Sequence, residues 1–200
     1  MEIIPIFANP IFTLDIPIPE GLPQYCLRME KGQSRSNIGG WQTDKIVHHN
    51  SELFHLYLNE NFFMPLIKSI RLAYNGILDL NSSWLNICTK GAENVKHMHS
   101  SSDISFIWYI QVPADCGGKL SFYNPHQYQN DTAMRALNKE YVDKLNYYHI
   151  YDIIPYDGLC IVFPSYLEHS VGKITKDCDR IAYSGNFKFH INDTITRFPL

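Results

Sequence analysis

The stretch KHMHSSSDISFIWYIQVP, residues 96–113, joins two histidines to a long apolar run. The run Ile104–Ile110, bounded by serines and an aspartate before it and Pro113 after it, reads as a buried strand. His97 and His99 stand two positions apart at its mouth. Side chains at i and i+2 on a strand share a face, so both imidazoles aim at one point.

Working outward, further short strands read SWLNICTK (83–90), KLSFYNP (119–125), GLCIVFP (158–164) and RIAYSGNFKF (180–189). Turn signals separate them at Lys90-Gly91, Gly117-Gly118, Asp157-Gly158 and Gly172. Upstream, the prolines of IIPIF and PIFTLDIP break the first residues into one or two short strands. Residues 32–50 read as a polar loop. Phe62, Leu66, Ile70, Ala73 and Ile77 recur at helical spacing and predict one helix over 61–78, with Pro65 in its first turn. Residues 126–151 form a polar, tyrosine-rich insertion with helical character around 132–146. The fold expected is mainly β (α+β): a double-stranded β-helix, or jelly roll, with flanking helices, forming one domain over 1–200, with a closed barrel as the alternative.

Composition narrows the function. The chain has 200 residues, 45% hydrophobic and 18% charged, with a net charge of -3; this is a globular balance without the basic footprint of a nucleic-acid binder. No signal peptide and no membrane-length apolar stretch is seen. Five cysteines, an odd number with no C-x-x-C pair, do not make a disulfide framework or a zinc ribbon. The expected compartment is the reducing cytoplasm.

H-x-H alone does not separate a metal site from two structural histidines, and His48, His49, His55, His149 and His190 have no ligand-like context. A third histidine, His169, follows the buried strand of GLCIVFPSYLEHSVGKI. A jelly roll brings such strand ends together at its mouth. Two neutral imidazoles on one face and one from afar leave open positions, as a non-haem iron site requires. Eleven residues later Arg180 opens an apolar strand; it is either an edge-strand arginine in solvent or a guanidinium placed inside the fold. Arginine is suited to a bidentate grip on a carboxylate.

Six segments in order resemble the 2-oxoglutarate/Fe(II)-dependent oxygenase superfamily, in its small prolyl-hydroxylase-like branch found in bacteria and phages. They are GGWQT (39–43), SWLNI (83–87), HMHSSSDISFIWYIQVP (97–113), GGKLSFYNP (117–125), GLCIVFPSYLEHSV (158–171) and RIAYSGNF (180–187). The resemblance implies a dioxygenase that couples oxidative decarboxylation of 2-oxoglutarate to hydroxylation of a substrate. It implies Fe(II) on His97, His99 and His169, and 2-oxoglutarate held by Arg180, Tyr109 and Asn86. His99 falls where the superfamily has an aspartate, so the triad is all histidine unless Asp103 supplies the carboxylate. Ala182 stands where a serine is expected, His126 where an arginine is, and Ser100 where a proline is.

Phe106, Trp108, Phe122 and Phe163 are candidate walls of the site. Trp41 and the 126–151 insertion are candidate lids. The partners expected are dioxygen and a small-molecule or peptidyl substrate, with no nucleic acid and no membrane. The tyrosine-rich insertion suits an interface, and a homodimer is the assembly it favours. Two rivals remain at this stage: a cupin-like metal enzyme without 2-oxoglutarate, and a non-catalytic jelly-roll binding module.

Overall fold

The computed structural model describes residues 8–32, 36–44, 51–126 and 132–190. The expected strand within IIPIF, together with His48 and His49, lies outside the described residues. Two antiparallel sheets face each other. The larger has the order β1-β9-β6-β11-β4-β3, built from Phe12–Asp15 (β1), Leu159–Pro164 (β9), Ile104–Gln111 (β6), Arg180–His190 (β11), Ile77–Cys88 (β4) and Trp41–Gln42 (β3). The smaller has the order β2-β5-β10-β7-β8, built from Asn37–Ile38 (β2), Glu93–His97 (β5), His169–Val171 (β10), Leu120–Tyr123 (β7) and Ile150–Ile153 (β8). This is the expected jelly roll.

The apolar run of β6 serves two cores by period-2 alternation. Ile104, Phe106, Trp108 and Ile110 pack with the helices, while Ile107 and Tyr109 face the smaller sheet. Strand β11 divides the same way, with Ile181, Tyr183 and Phe187 toward the helices and Ala182 toward the smaller sheet. Burial on both faces is why the run Phe106–Ile110 is continuously apolar, whereas β11 also carries the buried polar residues Arg180, Ser184 and Asn186.

The helical layer differs from the expected 61–78. A π-helical segment, Phe54–Phe63, runs into helix α2, Met64–Ala73. Phe62, Leu66 and Ile70 are buried as expected, but Ala73 and Ile77 are exposed. The register changes beside Pro65, which has no N–H to place in either ladder. Ile77 belongs to β4, where it pairs with His190; sheet pairing overrides a pattern that also fits a helix. A short helix α1, Leu22–Leu27, adds Leu22 and Cys26 to the same core. The insertion holds two short helices, α3 (Thr132–Arg135) and α4 (Lys139–Leu145), within the span expected to have helical character.

The GGWQT segment owes its glycines to a close approach. At Gly40, with φ +65°, a Cβ would lie 2.6 Å from the carbonyl oxygen of Ile87, so only glycine lets β3 reach β4.

Candidate metal centre

Strand β5 ends at His97 and β10 begins at His169. The two are directly paired in antiparallel register. His99 lies two residues past β5; its N–H donates to the carbonyl of Ser165 at 2.9 Å, and its own carbonyl accepts from Ser102 N–H at 3.1 Å. Ring centroids are 4.4 Å apart for His97 and His169, 5.1 Å for His97 and His99, and 5.2 Å for His99 and His169. One ligand nitrogen from each lies within 4.8 Å of the others.

The three imidazoles therefore do meet, but not by the route expected. Of His97 and His99 only His97 is on a strand, and that strand is β5 rather than the apolar strand β6. The turn at 99–102 carries the chain from the smaller sheet to the larger one.

Two of the rings are set by backbone contacts. Nδ1 of His97 lies 2.7 Å from the carbonyl oxygen of Val95, and Nδ1 of His169 lies 2.9 Å from that of Leu167. A carbonyl only accepts, so each Nδ1 carries the proton and each Nε2 keeps its lone pair for a ligand. Burial, and then the neighbouring His97, push the His169 pKa down to about 3, against the Leu167 hydrogen bond. His169 thus stays neutral and able to donate to a metal.

Asp103 lies outside the cluster. Its carboxylate accepts the N–H of Phe189 at 2.7 Å.

Arg180 opens β11 opposite Cys88 and is 1% exposed. Its guanidinium lies over the Tyr109 ring at 4.7 Å. Its Nε and Nη2, and the Tyr109 hydroxyl, have no hydrogen-bond partner. Buried donors without partners are costly; Arg180 lines a cavity, and Tyr109 lies behind it and outside the lining. Burial raises the Tyr109 pKa, against the charge of Arg180, so the phenol remains a neutral donor.

Gly118, at φ +71°, makes room for this arginine. A Cβ there would lie 2.6 Å from Ile174 Cδ1 and 3.2 Å from Arg180 Cδ. The sequence marked Gly118 only as a turn residue.

One cavity joins the two halves of the site. The histidine triad lines it together with Arg180, and Asn86 and Ser184 lie along its wall. Asn86 Nδ2 donates to Ser184 Oγ at 3.1 Å, and Asn86 Oδ1 accepts from Asn37 Nδ2 at 3.3 Å; Asn37 in turn accepts from Asn94. This polar chain escaped the sequence reading, apart from Asn86, because its members lie on four different strands. No aspartate or glutamate lines the cavity among the described residues.

Of the expected walls, Phe163 and Phe106 line the cavity; Trp108 faces the helices, and Phe122 packs behind His169. Trp41 packs against the helix-side core and is not a lid here. None of the described residues of the insertion lines the cavity.

The donors fit a definite pair of ligands. Three imidazoles suit a divalent first-row metal such as iron. An unsatisfied guanidinium with a phenol beside it suits a carboxylate. Residues 82–186 match the family described as "Putative 2OG-Fe(II) oxygenase".

The chain belongs to this family.

The matched residues run from β4 into β11 and include all six sequence-predicted site residues. This oxygenase is accordingly an enzyme whose cofactors are iron(II) and 2-oxoglutarate and whose reaction takes dioxygen and a substrate. Solved structures from Pseudomonas putida and Streptomyces hygroscopicus share the fold. A Pseudomonas putida prolyl-4-hydroxylase is 17% identical over 91% of this chain and 94% of its own, with a TM-score of 0.59. HygX from Streptomyces hygroscopicus, with nickel and 2-oxoglutarate bound, is 12% identical over 90% of this chain and 83% of its own, with a TM-score of 0.62. An oxidoreductase of the 2OG-Fe(II) oxygenase family from Burkholderia pseudomallei is 12% identical over 62% of this chain, with a TM-score of 0.47; the match spans 50% of that protein's length. No curated protein matches the sequence. Among the described residues no helix is long and apolar enough to cross a membrane.

Proposed function

We propose that this oxygenase hydroxylates a small-molecule or peptidyl substrate, with His97, His99 and His169 as the iron ligands. The observation that carries the reading is one cavity with three convergent imidazoles and the buried guanidinium of Arg180, whose Nε and Nη2 have no hydrogen-bond partner. Arg180, with the Tyr109 hydroxyl beside it, would hold the far carboxylate of 2-oxoglutarate, and Asn86 would help to position it. Iron(II) with 2-oxoglutarate supplies the activation of dioxygen, with succinate and carbon dioxide released. The chain's own part is to position and to exclude water. His97 and His169 keep their Nε2 lone pairs turned away from the Nδ1–H donors. Phe163 and Ile107 provide apolar wall between them.

Arg180 also weighs against the rivals. A cupin-like enzyme without 2-oxoglutarate has no fixed need for a buried guanidinium, and a binding module gains nothing from burying one unpaired. With iron(II), 2-oxoglutarate and air, the protein should form succinate slowly even without its substrate. His169→Ala should lower that rate by more than about 100-fold, the upper end of what loss of an outer-shell partner costs. Equal succinate formation by this variant rules the ligand assignment out.

A further inference from the structure

The charges around the cavity do not balance. Arg180 brings one positive charge, 1% exposed, with two unpartnered nitrogens. A divalent metal on the triad brings two more. Imidazole ligands bring no charge of their own, and no carboxylate joins the cluster among the described residues.

Two acidic side chains close in sequence to the histidines are already committed. Asp103 accepts the Phe189 amide at 2.7 Å, and Glu168 pairs with Lys96 at 2.6 Å as a neutral couple outside the cavity. The hydroxyl and amide groups along the wall bring dipoles but no charge. The loaded site would therefore carry about three positive charges that no carboxylate lining the cavity offsets among the described residues, with Arg180 and His169 buried and His97 and His99 half-buried.

We infer that the neutral triad makes metal binding strongly dependent on the dianion, so that the protein holds its metal firmly only when 2-oxoglutarate bridges from the metal to Arg180. The inference rests on the proposed ligand assignment and deepens it. A carboxylate ligand would offset one of the metal's charges before any cosubstrate arrives. With His99 in that place, the offset comes from 2-oxoglutarate, whose two carboxylates sit at the two ends of the positive field. Linkage makes the dependence reciprocal: the metal tightens the dianion by the factor by which the dianion tightens the metal. The oxygenase thus couples its loading to the supply of its cosubstrate.

The test is a titration of the full chain with cobalt(II), followed by its visible absorption, with and without saturating 2-oxoglutarate. It is run on the wild type, His99→Asp and Arg180→Gln. The wild type should bind cobalt at least about 100-fold more tightly with 2-oxoglutarate than without, near the upper end of ordinary coupling between sites. Both substitutions remove net positive charge. Both should therefore tighten binding of cobalt alone, by about tenfold for His99→Asp and severalfold for Arg180→Gln, and both should shrink the coupling ratio.

A merely structural role for either residue predicts weaker cobalt binding instead. Should His99→Asp fail to fold by circular dichroism, Arg180→Gln decides alone, since it removes a buried charge without adding one. A coupling ratio that both variants leave unchanged overturns the inference and leaves the oxygenase assignment standing. A wild type that binds neither cobalt nor 2-oxoglutarate overturns both.

Discussion

The two faces of the larger sheet are built to opposite rules. The face toward the helices is closed and satisfied. Phe62 stacks on Trp108 at 4.6 Å and meets Phe106 and Tyr183 edge-on or tilted. The one polar atom of Trp108 donates to the carbonyl of Ile16. The face toward the smaller sheet carries Arg180, Tyr109, Asn86 and Ser184, and leaves buried donors without partners. The same strands supply both faces, one residue apart. Stability is thus concentrated on one side of the sheet, where it offsets the cost of keeping unsatisfied donors on the other.

This division is broken most strongly on the helix side. Phe62→Ala should cost about 3–5 kcal/mol, as for a fully buried aromatic, measured by denaturant melts. The iron affinity of the folded protein should be unchanged; a parallel loss of affinity would show that the faces are not independent.

On the cavity side, Arg180→Lys keeps the charge but loses the fork. It should raise KM for 2-oxoglutarate about 10–100-fold in succinate assays, or about 1.4–2.8 kcal/mol, with little change in the melt. An unaltered KM would remove Arg180 from the cosubstrate site.

Gly118→Ala touches both properties. A left-handed backbone costs a non-glycine residue about 1–2 kcal/mol, and the new methyl crowds Arg180. It should lower stability by that amount and weaken 2-oxoglutarate severalfold in the same assay. Destabilisation with unchanged 2-oxoglutarate affinity would mean that Gly118 serves the turn alone.

The smallest effect is expected for Asp103→Asn, within about 0.5 kcal/mol, because an amide oxygen can still accept from Phe189. Metal titration should show no change. A clear loss of metal affinity would make Asp103 a ligand after all.

Much of this was legible in residues 96–113 and the strands around them. β4, β6, β7, β9 and β11 announce themselves by apolar runs between turn signals, and the histidines and Arg180 stand at the ends of such runs. Strand β5, with the sequence ENVKH, has no apolar pattern, because only Asn94 in it is buried. Strand β10 has only three residues. The pairing of His97 with His169 joins exactly these two weak strands, so no local signal reveals it. Gly118 and the Asn94–Asn37–Asn86 chain escaped for the same reason: their roles arise from neighbours distant in sequence. The π-helical register upstream of Pro65 follows packing on the sheet and leaves no mark on hydrophobic spacing.

The most direct test of the account is an anaerobic titration of iron(II) and 2-oxoglutarate into the protein, watching for the weak visible charge-transfer band of the chelated cosubstrate. The account predicts that the band appears in the wild type, is lost in His169→Ala, and needs far more 2-oxoglutarate in Arg180→Ala. A wild type without the band, or a His169→Ala variant that shows it undiminished, would contradict the assignment of this cavity.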